Sequence, residues 1–345
     1  MELEKKDLAA LQHFIEKNYH KKYILCNENF FCYFFTRNSP SFNVRILKIK
    51  EQIVGMLGRI PARYNYFGKD VTGAYLVNLM IDEEYRKLGL GPRLVLETEK
   101  EYDLLLNTGY GEQGKELYEK LKWTEMPPLH RAVCIMSNKC SVFSKKEIPL
   151  STVKIAPRKG SHDFQQLTRF DRAIDSFWKK MRGKYPISIN RDADYLNWRY
   201  ADHPLLKYHL FVGKKHDHIV SFIILRIEEP PGFRIARIVD FVSADDAEEQ
   251  TLLMTHDWAK KEKIDLIDCF STGKFHEHAL RNAGFANADK EPYTDIPLLF
   301  NPIDRVRKTI PFCFKPINQE LFDKRILDSD NWYVTKGDGD QDRPN

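Results

Sequence analysis

A short glycine-containing loop carries the clearest chemical pattern in the sequence. The mostly apolar residues 77–81 are followed by Arg86, Gly89 and Gly91, and the spacing predicts a helix that opens at Pro92. Glycines allow a tight turn, so several backbone N–H groups can point at one anion. The following helix adds the positive end of its dipole and its unpaired first-turn donors. The pattern predicts a site for the pyrophosphate of a phosphorylated ligand.

Other phosphate-binding loops fit this stretch less well. No Gly-Lys-Ser/Thr ends it, as a Walker loop requires. The Gly-x-Gly-x-x-Gly fingerprint of dinucleotide sites is incomplete, and no βαβ start precedes it. A glycine-rich turn between a strand and a helix is also often only a turn. The loop therefore needs a second signal.

The second signal is a tyrosine on the next predicted helix. Residues 102–107 read as a buried strand, and residues 113–123 read as an amphipathic helix with Leu117 and Leu121 on one face. Tyr118 lies within the Leu-Tyr-Glu-Lys-Leu stretch of that helix, which ends at Trp123. A lone tyrosine at such a position more often packs in a core than performs chemistry, so both interpretations stay open.

Together the two motifs resemble the GNAT acyltransferases, whose signatures are Arg/Gln-x-x-Gly-x-Gly/Ala after an apolar strand and a later helix tyrosine near the thioester sulfur. The resemblance implies an acyl-CoA co-substrate, either acetyl-CoA or a longer acyl-CoA. It implies that the backbone N–H of Leu79 stabilises the oxyanion and that Tyr118 protonates the departing thiolate. The residues it implies for CoA binding are Leu79, Met80, Ile81, Arg86, Lys87, Leu88, Gly89, Leu90, Gly91 and Pro92.

The general base is where the sequence departs from that family. Many members carry a glutamate on this strand where Tyr75 stands here. Alternation predicts Tyr75 and Leu79 on one face and Asn78 on the other. The first carboxylate is Asp82, at the end of the strand. Asn78 could orient the acceptor, although a buried, hydrogen-bonded Asn78 is an equal alternative, and the proton could be removed by Asn78, by Asp82 or through a water.

The order of predicted elements occurs twice. Each half has an aromatic helix ending at a proline, then a strand hairpin, a further strand, a helix, a strand and a short helix. We therefore expect an α/β (α+β) fold with two tandem GNAT-like domains, each a mixed, mostly antiparallel sheet flanked by helices. The predicted boundaries are 1–145, 150–325, and a polar tail at 326–345 that should be frayed.

The second copy should bind the acceptor rather than CoA, because its corresponding turn lacks glycine and carries four carboxylates that would repel a pyrophosphate. Asp240 interrupts an apolar strand there and is a candidate for contact with substrate. Arg199 or Arg237 would suit a diphosphate, and Tyr75 is a further substrate-binding candidate. Alternatively, the residues around Arg199 pack in the core and Arg199 pairs with an acid.

Composition sets the remaining expectations. The 345 residues favour two domains, and a net charge of +5 with both signs interspersed favours anionic small molecules over a nucleic-acid partner. The six scattered cysteines and the absence of zinc spacing predict reduced thiols, a cytoplasmic location and no metal. No apolar run long enough to span a bilayer occurs in the sequence, so we expect no membrane partner, and the oligomeric state stays open.

Three functions compete at this point. Tandem chains with a Tyr-Leu-x-Trp-Arg-Tyr…His-Pro stretch, present here from Tyr195 to Pro204, look similar to bacterial N-acyltransferases of surface-polysaccharide pathways. That resemblance implies transfer of an acyl group to the amine of an amino sugar, probably linked to a nucleotide. The alternatives are acylation of another small amine, peptide or aminoacyl acceptor, and a non-catalytic CoA-responsive protein, which the intact loop and Tyr118 disfavour.

Overall fold

The structure is a computed structural model that describes residues 1–19, 23–37, 39–155, 163–300, 303–304, 306 and 309–343. The chain divides into two compact units that are each assembled from separate stretches of sequence. Unit 1 comprises Met1–Pro127, Pro311–Asp328 and Gly339–Asn345. Unit 2 comprises Pro128–Ile310 and Ser329–Asp338.

Unit 1 is a twisted sheet with helices against it. Its helices are α1 (Leu8–Asn18), α2 (Glu28–Phe35), α3 (Leu90–Glu99) and α4 (Glu112–Lys120). Its strands are β1 (Val44–Ile49), β2 (Gln52–Tyr66), β3 (Lys69–Ile81), β4 (Leu104–Thr108) and, from late in the sequence, β15 (Ile310–Pro316). The strand order is β1-β2-β3-β4-β15, in which only β3 and β4 are parallel.

The long hairpin of β2 and β3 gives unit 1 its central strands. Phe67 and Gly68 both have positive φ, at 47° and 88°, which is the conformation of a tight hairpin turn that matches strand twist. The Asn65 side chain accepts a hydrogen bond from the Gly68 N–H at 2.9 Å and closes this turn. The core beside the hairpin combines residues of β3, α3 and β4, such as Leu76, Leu94 and Leu105.

From its second helix onward, unit 2 has the same order of elements as unit 1 from α2 to α4. Its helices are α5 (Ala173–Met181), α6 (Ala193–Leu196), α7 (Glu248–Lys261) and α8 (Glu277–Asn282). Its main strands are β6 (Asp163–Leu167), β8 (Tyr208–Lys215), β9 (His218–Glu228), β10 (Ile235–Ser243) and β11 (Leu266–Ser271), together with most of β5 (Thr124–Ile135). Its short strands are β7 (Ile187–Ile189), β12 (Ala286–Asn287), β13 (Leu299–Phe300) and β14 (Ile303–Asp304). Its main strands are ordered β5-β11-β10-β9-β8-β6, with β10 and β11 parallel.

The predicted α/β class and mixed sheets flanked by helices are confirmed, but the division of the chain is less simple than 1–145 and 150–325. Each unit takes the strand beside its parallel pair from the other half of the sequence. In unit 1, β15 pairs antiparallel with β4. In unit 2, residues 130–135 of β5 pair antiparallel with β11. A prediction that follows sequence order cannot detect such an exchange.

The expectation of a frayed tail is wrong for residues 332–342. Trp332 is fully buried, and the Val334 oxygen accepts a hydrogen bond from the Thr272 N–H at 2.9 Å. The charges that suggested solvation are paired instead, because Asp338 accepts from Arg191 and Asp340 accepts from Arg343. The last two residues of the predicted tail lie outside the described part of the chain.

Three further observations bear on the expectations from composition. All six cysteines are free thiols. Within the described residues, no three His, Cys, Asp or Glu side chains come together as a metal site would require. Within the same residues, no helix has the length and apolar character needed to cross a bilayer.

Candidate functional site

The strands β3 and β4 of unit 1 pair in parallel over three residues, Gly73–Tyr75 in the middle of β3 and Leu104–Leu106 at the start of β4. Their pairing ends at Tyr75 opposite Leu106, although β3 continues to Ile81 and β4 to Thr108. On its other side, β3 is interrupted by a bulge, because Val77 lies opposite Gly58 and Met80 opposite Met56. Asn78 and Leu79 therefore share a single opposing residue. A bulge of this kind bends the strand and redirects its backbone groups.

The bulge changes the predicted pattern of faces. Asn78 has a φ of 54°, in the left-handed region, so simple alternation does not hold between Val77 and Leu79. Burial changes at the same point, since residues 73–77 are buried while residues 78–81 are partly exposed. Leu79, Met80 and Ile81 are thus partly exposed where the resemblance implies acyl-CoA contacts, and those contacts stay a prediction.

The loop after β3 forms a 3₁₀ turn over Glu83–Leu88, followed by Gly89 and α3. The helix begins at Leu90 rather than at the predicted Pro92, because Gly89 ends the turn with a φ of 70°. Arg86 donates to the Ile81 carbonyl at 3.2 Å, and its side chain is exposed, as are those of Lys87 and Leu88. The loop therefore presents two cations beside the start of a helix.

The two glycines of this loop, Gly89 and Gly91, differ in backbone conformation and in the space around them. Gly89 has open space around it, but its positive φ disfavours any side chain. Gly91 has no positive φ, and a Cβ added there would lie 3.8 Å from Ile81 and 4.0 Å from Leu79, in ordinary contact. Neither packing nor backbone conformation explains a glycine at position 91. The absence of a side chain here leaves room for the close approach of a pyrophosphate that the resemblance implies, and that contact stays a prediction.

Both carboxylate oxygens of Asp82 accept hydrogen bonds from neighbouring residues of unit 1. Its Oδ2 accepts from Lys17 Nζ at 2.7 Å, and its Oδ1 accepts from the Glu84 N–H at 3.4 Å. The hydrogen bond from Lys17 lowers the pKa of the Asp82 carboxyl below its ordinary value, although burial opposes the shift. A carboxylate held in its ionised form is a weak proton acceptor, which disfavours Asp82 as the general base.

Tyr118 lies in the core of unit 1, 3% exposed, between the rings of Tyr110 and Trp123. Its hydroxyl oxygen accepts a hydrogen bond from Asn107 Nδ2 at 2.7 Å. The other Asn107 amide hydrogen goes to the Leu76 carbonyl at 2.9 Å, where β3 and β4 have separated. Burial raises the pKa of the Tyr118 phenol above its ordinary value, so this hydroxyl keeps its proton at neutral pH.

Sequence reasoning missed Asn107. The signal was present, because Asn107 is the one amide at the end of the apolar run Leu104-Leu-Leu. A polar side chain at the end of a fully buried strand needs hydrogen-bond partners, and here it finds them on β3 and on Tyr118.

The other two predicted residues of β3 have different surroundings. Asn78 Oδ1 accepts hydrogen bonds from Tyr23 Oη and, at 3.1 Å, from Arg343 Nη1. Tyr75 is 1% exposed, and its ring packs 6.4 Å from that of Tyr64. Tyr75 is buried to the same degree as Tyr118, so its predicted contact with substrate stays a prediction.

The predicted substrate residues of unit 2 are buried and already paired. Asp240 accepts both from Arg191 Nε, at 2.9 and 3.0 Å, and from the Tyr200 hydroxyl at 3.2 Å. Arg199 is 2% exposed and donates to the Gly337 carbonyl at 2.7 Å.

Arg237 is buried in the same way. It donates to Glu228 at 2.9 Å, to Asp268 at 3.0 Å and to the Leu298 carbonyl at 2.9 Å. All three candidates, Arg199, Arg237 and Asp240, are buried and hydrogen-bonded within unit 2. This arrangement disfavours the roles predicted for them, which no direct observation tests.

Comparison with known proteins identifies the fold. No protein-family model matches the sequence, and no curated protein sequence matches it. Solved structures do match. A GCN5-related N-acetyltransferase from Anabaena variabilis has a TM-score of 0.62 and 14% identity over 92% of this chain and 72% of that chain. A probable N-acyltransferase from Enterococcus faecalis has a TM-score of 0.59 and 10% identity over 93% and 72%.

A third match is the N-myristoyltransferase of Saccharomyces cerevisiae, solved with bound myristoyl-CoA. Its TM-score is 0.57, with 12% identity over 91% of this chain and 76% of that chain. The chain therefore has the fold of the GCN5-related N-acetyltransferases and N-myristoyltransferase. At these identities the likeness establishes the fold, and the chemistry must be argued from the residues.

Proposed function

We propose that this protein is an acyl-CoA-dependent N-acyltransferase and that unit 1 carries the transfer site. The observation that carries the proposal is the position of Tyr118. Its oxygen accepts from Asn107 where β3 and β4 separate, which leaves the hydroxyl hydrogen available to a further acceptor. The bulge at Asn78 and Leu79 and the unexplained glycine at position 91 lie on the same strand and the loop that follows it.

In this proposal Leu79 and Tyr118 each assist a different step of acyl transfer. A neutral amine attacks the thioester carbon, and the carbonyl oxygen becomes an oxyanion that, by the resemblance, the Leu79 N–H would stabilise. The C–S bond then breaks, an amide remains, and the sulfur leaves as a thiolate. Because its pKa is raised, Tyr118 acts best by donating a hydrogen bond to the sulfur, while the proton lost by the amine finally converts the thiolate to a thiol.

The acceptor that we propose is the amine of an amino sugar, linked to a nucleotide. Its support is the resemblance of the stretch from Tyr195 to Pro204 to sugar N-acyltransferases. The diphosphate of such a substrate needs cations, and the two predicted ones, Arg199 and Arg237, are buried with other partners. That pairing favours the second candidate, in which the acceptor is a small amine, peptide or aminoacyl group without a diphosphate.

One assay separates these candidates. Release of the CoA thiol would be followed with acetyl-CoA and a long-chain acyl-CoA, each offered with dTDP- and UDP-linked amino sugars, polyamines and peptides. The proposal expects thiol release that depends on an amine, fastest with the amino sugars. Faster transfer to peptides or polyamines would establish the second candidate. An absence of stabilisation by any CoA ester in a thermal-shift measurement would overturn the acyltransferase assignment itself.

A further inference from the structure

Asn78 occupies an unusual place in unit 1. It lies at the bulge of β3 with a φ of 54°, and asparagine is among the few non-glycine residues that adopt this left-handed conformation readily. A residue held in this region at a strand bulge stores strain that the surrounding contacts must offset. Both the backbone and the side chain of Asn78 are therefore fixed by what surrounds them.

Two donors determine which way the Asn78 amide points. Tyr23 Oη donates to Oδ1, and Arg343 Nη1 donates to the same oxygen at 3.1 Å. If the amide were rotated by half a turn, its NH₂ group would face the donor-only Arg343 guanidinium, so only one orientation satisfies both neighbours. In that orientation Nδ2 is buried and has no hydrogen-bond partner among the residues that the structure describes.

Arg343 is itself held firmly in unit 1. It donates to Asp340 Oδ2 at 2.5 Å, and its guanidinium carbon lies 5.1 Å from the centre of the Tyr23 ring. The neighbouring Gln341 donates to the Thr108 carbonyl at 3.1 Å, at the end of β4. Segment 339–343 thus lies against the end of the parallel strand pair, where it delivers one of the two donors to Asn78.

We propose that Tyr23 and Arg343 are positioning residues that aim Asn78 Nδ2 at a carbonyl oxygen of the bound substrates. The inference rests on the proposed acyltransferase function. A buried NH₂ group without a partner is costly, and a ligand carbonyl would satisfy it. Asn78 directly precedes Leu79, whose N–H is assigned to the thioester oxygen. The carbonyl belongs either to the acyl thioester or to the acceptor, and binding measurements separate the two sources.

The first test is Asn78→Asp. The carboxylate keeps an acceptor for Tyr23 and Arg343, so the surroundings stay satisfied, while the donor at Nδ2 becomes an acceptor. We expect kcat/KM to fall about 10- to 100-fold. If the partner is the thioester, acetyl-CoA binding weakens relative to free CoA, which has no acyl carbonyl. If the partner is the acceptor, the ratio of these two affinities is kept and the acceptor KM rises.

The second test asks whether Tyr23 and Arg343 act through Asn78. Tyr23→Phe and Arg343→Met, singly and together, would be measured with Asn78 present and with Asn78→Ala. We expect the double variant to lower kcat/KM by more than the product of the single effects, because either donor alone still orients the amide. In the Asn78→Ala background these losses should disappear. A purely structural role would give the same losses in both backgrounds.

A matched control is Tyr66→Phe, which removes a hydroxyl that accepts from the Asp323 N–H at 2.9 Å elsewhere in unit 1. It should change the melting temperature without changing kcat or KM. One result overturns this inference but leaves the proposed function standing. Wild type would bind CoA and acetyl-CoA, and Asn78→Asp would keep both affinities, the wild-type kcat and the wild-type acceptor KM. If wild type binds neither ligand, the proposed function falls and the inference with it.

Discussion

Asn107 donates one hydrogen bond across to β3, at the Leu76 carbonyl, and a second to the hydroxyl oxygen of Tyr118. One side chain thus joins the two strands just beyond the point where their pairing ends and also fixes the position of the tyrosine hydroxyl. Because the Tyr118 oxygen accepts this bond, its own hydrogen points elsewhere. The Asn107 side chain therefore links the separation of β3 and β4 to the orientation of the Tyr118 hydroxyl.

The first prediction concerns the Tyr118 hydroxyl. Tyr118→Phe should lower kcat by about 10²-fold, while the Kd of CoA stays within about twofold, because the hydroxyl acts mainly as the thiolate departs. Tyr110→Phe is the matched control, since its ring packs 5.5 Å from that of Tyr118. Steady-state kinetics and calorimetry with CoA check both variants. An unchanged kcat in Tyr118→Phe would remove this residue from the chemistry.

The raised pKa of Tyr118 adds a prediction about pH. The folded state favours the protonated phenol, so its ionisation lies above the ordinary value of about 10. The kcat profile should therefore show no loss attributable to Tyr118 between pH 6 and about pH 9. The measurement is kcat against pH for wild type and Tyr118→Phe. A limb at alkaline pH that is present only in wild type would contradict the expectation.

Gly91 gives a test of the loop that does not depend on damage to the fold. Gly91→Ala should keep or raise the free energy of unfolding, by up to about 1 kcal/mol, because alanine favours a helix and its Cβ meets no close atom. The same methyl group should block the approach of the pyrophosphate and weaken CoA binding at least tenfold, measured by calorimetry. Gly183→Ala is the control, since Gly183 also has open space around it. Unchanged CoA affinity would place the ligand elsewhere.

The sequence predicted those parts of unit 1 whose residues are neighbours along the chain. The strand, loop and helix from Val77 to Glu99 and the helix of Tyr118 have local signals, namely periodicity and glycine spacing. The contacts around Asn78 have no local signal, because Tyr23 and Arg343 are 55 and 265 residues away. The bulge was also missed, since alternation along a strand cannot reveal an extra residue.

The environments of polar residues are the second feature that the sequence did not predict. Composition predicted that Asp338 and Asp340 would be solvated, but each has an arginine partner that comes into range only in the fold. The same holds for Arg237, which was expected to be available for a diphosphate and is paired with Glu228 and Asp268. Whether a charge is free or paired depends on tertiary contacts, so composition alone cannot decide it.

The fourth prediction concerns Lys17 and Asp82. The Asp82 pKa is lowered by its bond to Lys17, so the pair stabilises the fold above the unfolded pKa of about 3.9, and the effect is lost as pH falls through the lower folded value. Lys17→Met should lower the melting temperature at pH 7, and this difference from wild type should shrink as pH falls below about 4 and vanish below the lower folded pKa. Lys120→Met is the control, because Lys120 is exposed and lies 3.9 Å from Glu116. If kcat at neutral pH depended on the ionisation of Asp82, that result would contradict this structural role.

The last prediction concerns Asp240, which lies in a buried cluster with two carboxylates and one guanidinium. Arg191 donates to both Asp240 and Asp338. Burial raises the pKa of Asp240 to about 6, although Arg191 opposes the shift. A raised folded pKa means that the contribution of Asp240 is fully present below about pH 4, its unfolded value, and is lost as pH rises through about 6.

Asp240→Asn should therefore gain stability relative to wild type between pH 4 and pH 7, by about 1 to 3 kcal/mol, because the amide still accepts from Arg191 while the excess negative charge is gone. Arg191→Gln should instead lose about 3 to 5 kcal/mol at pH 7, since it leaves two buried carboxylates without their cation. Denaturant unfolding at both pH values measures these differences. Kinetics on the same Asp240→Asn protein decide its role, because an enclosed, paired carboxylate leaves kcat and the acceptor KM unchanged. A tenfold rise in that KM would show that Asp240 contacts the acceptor after all.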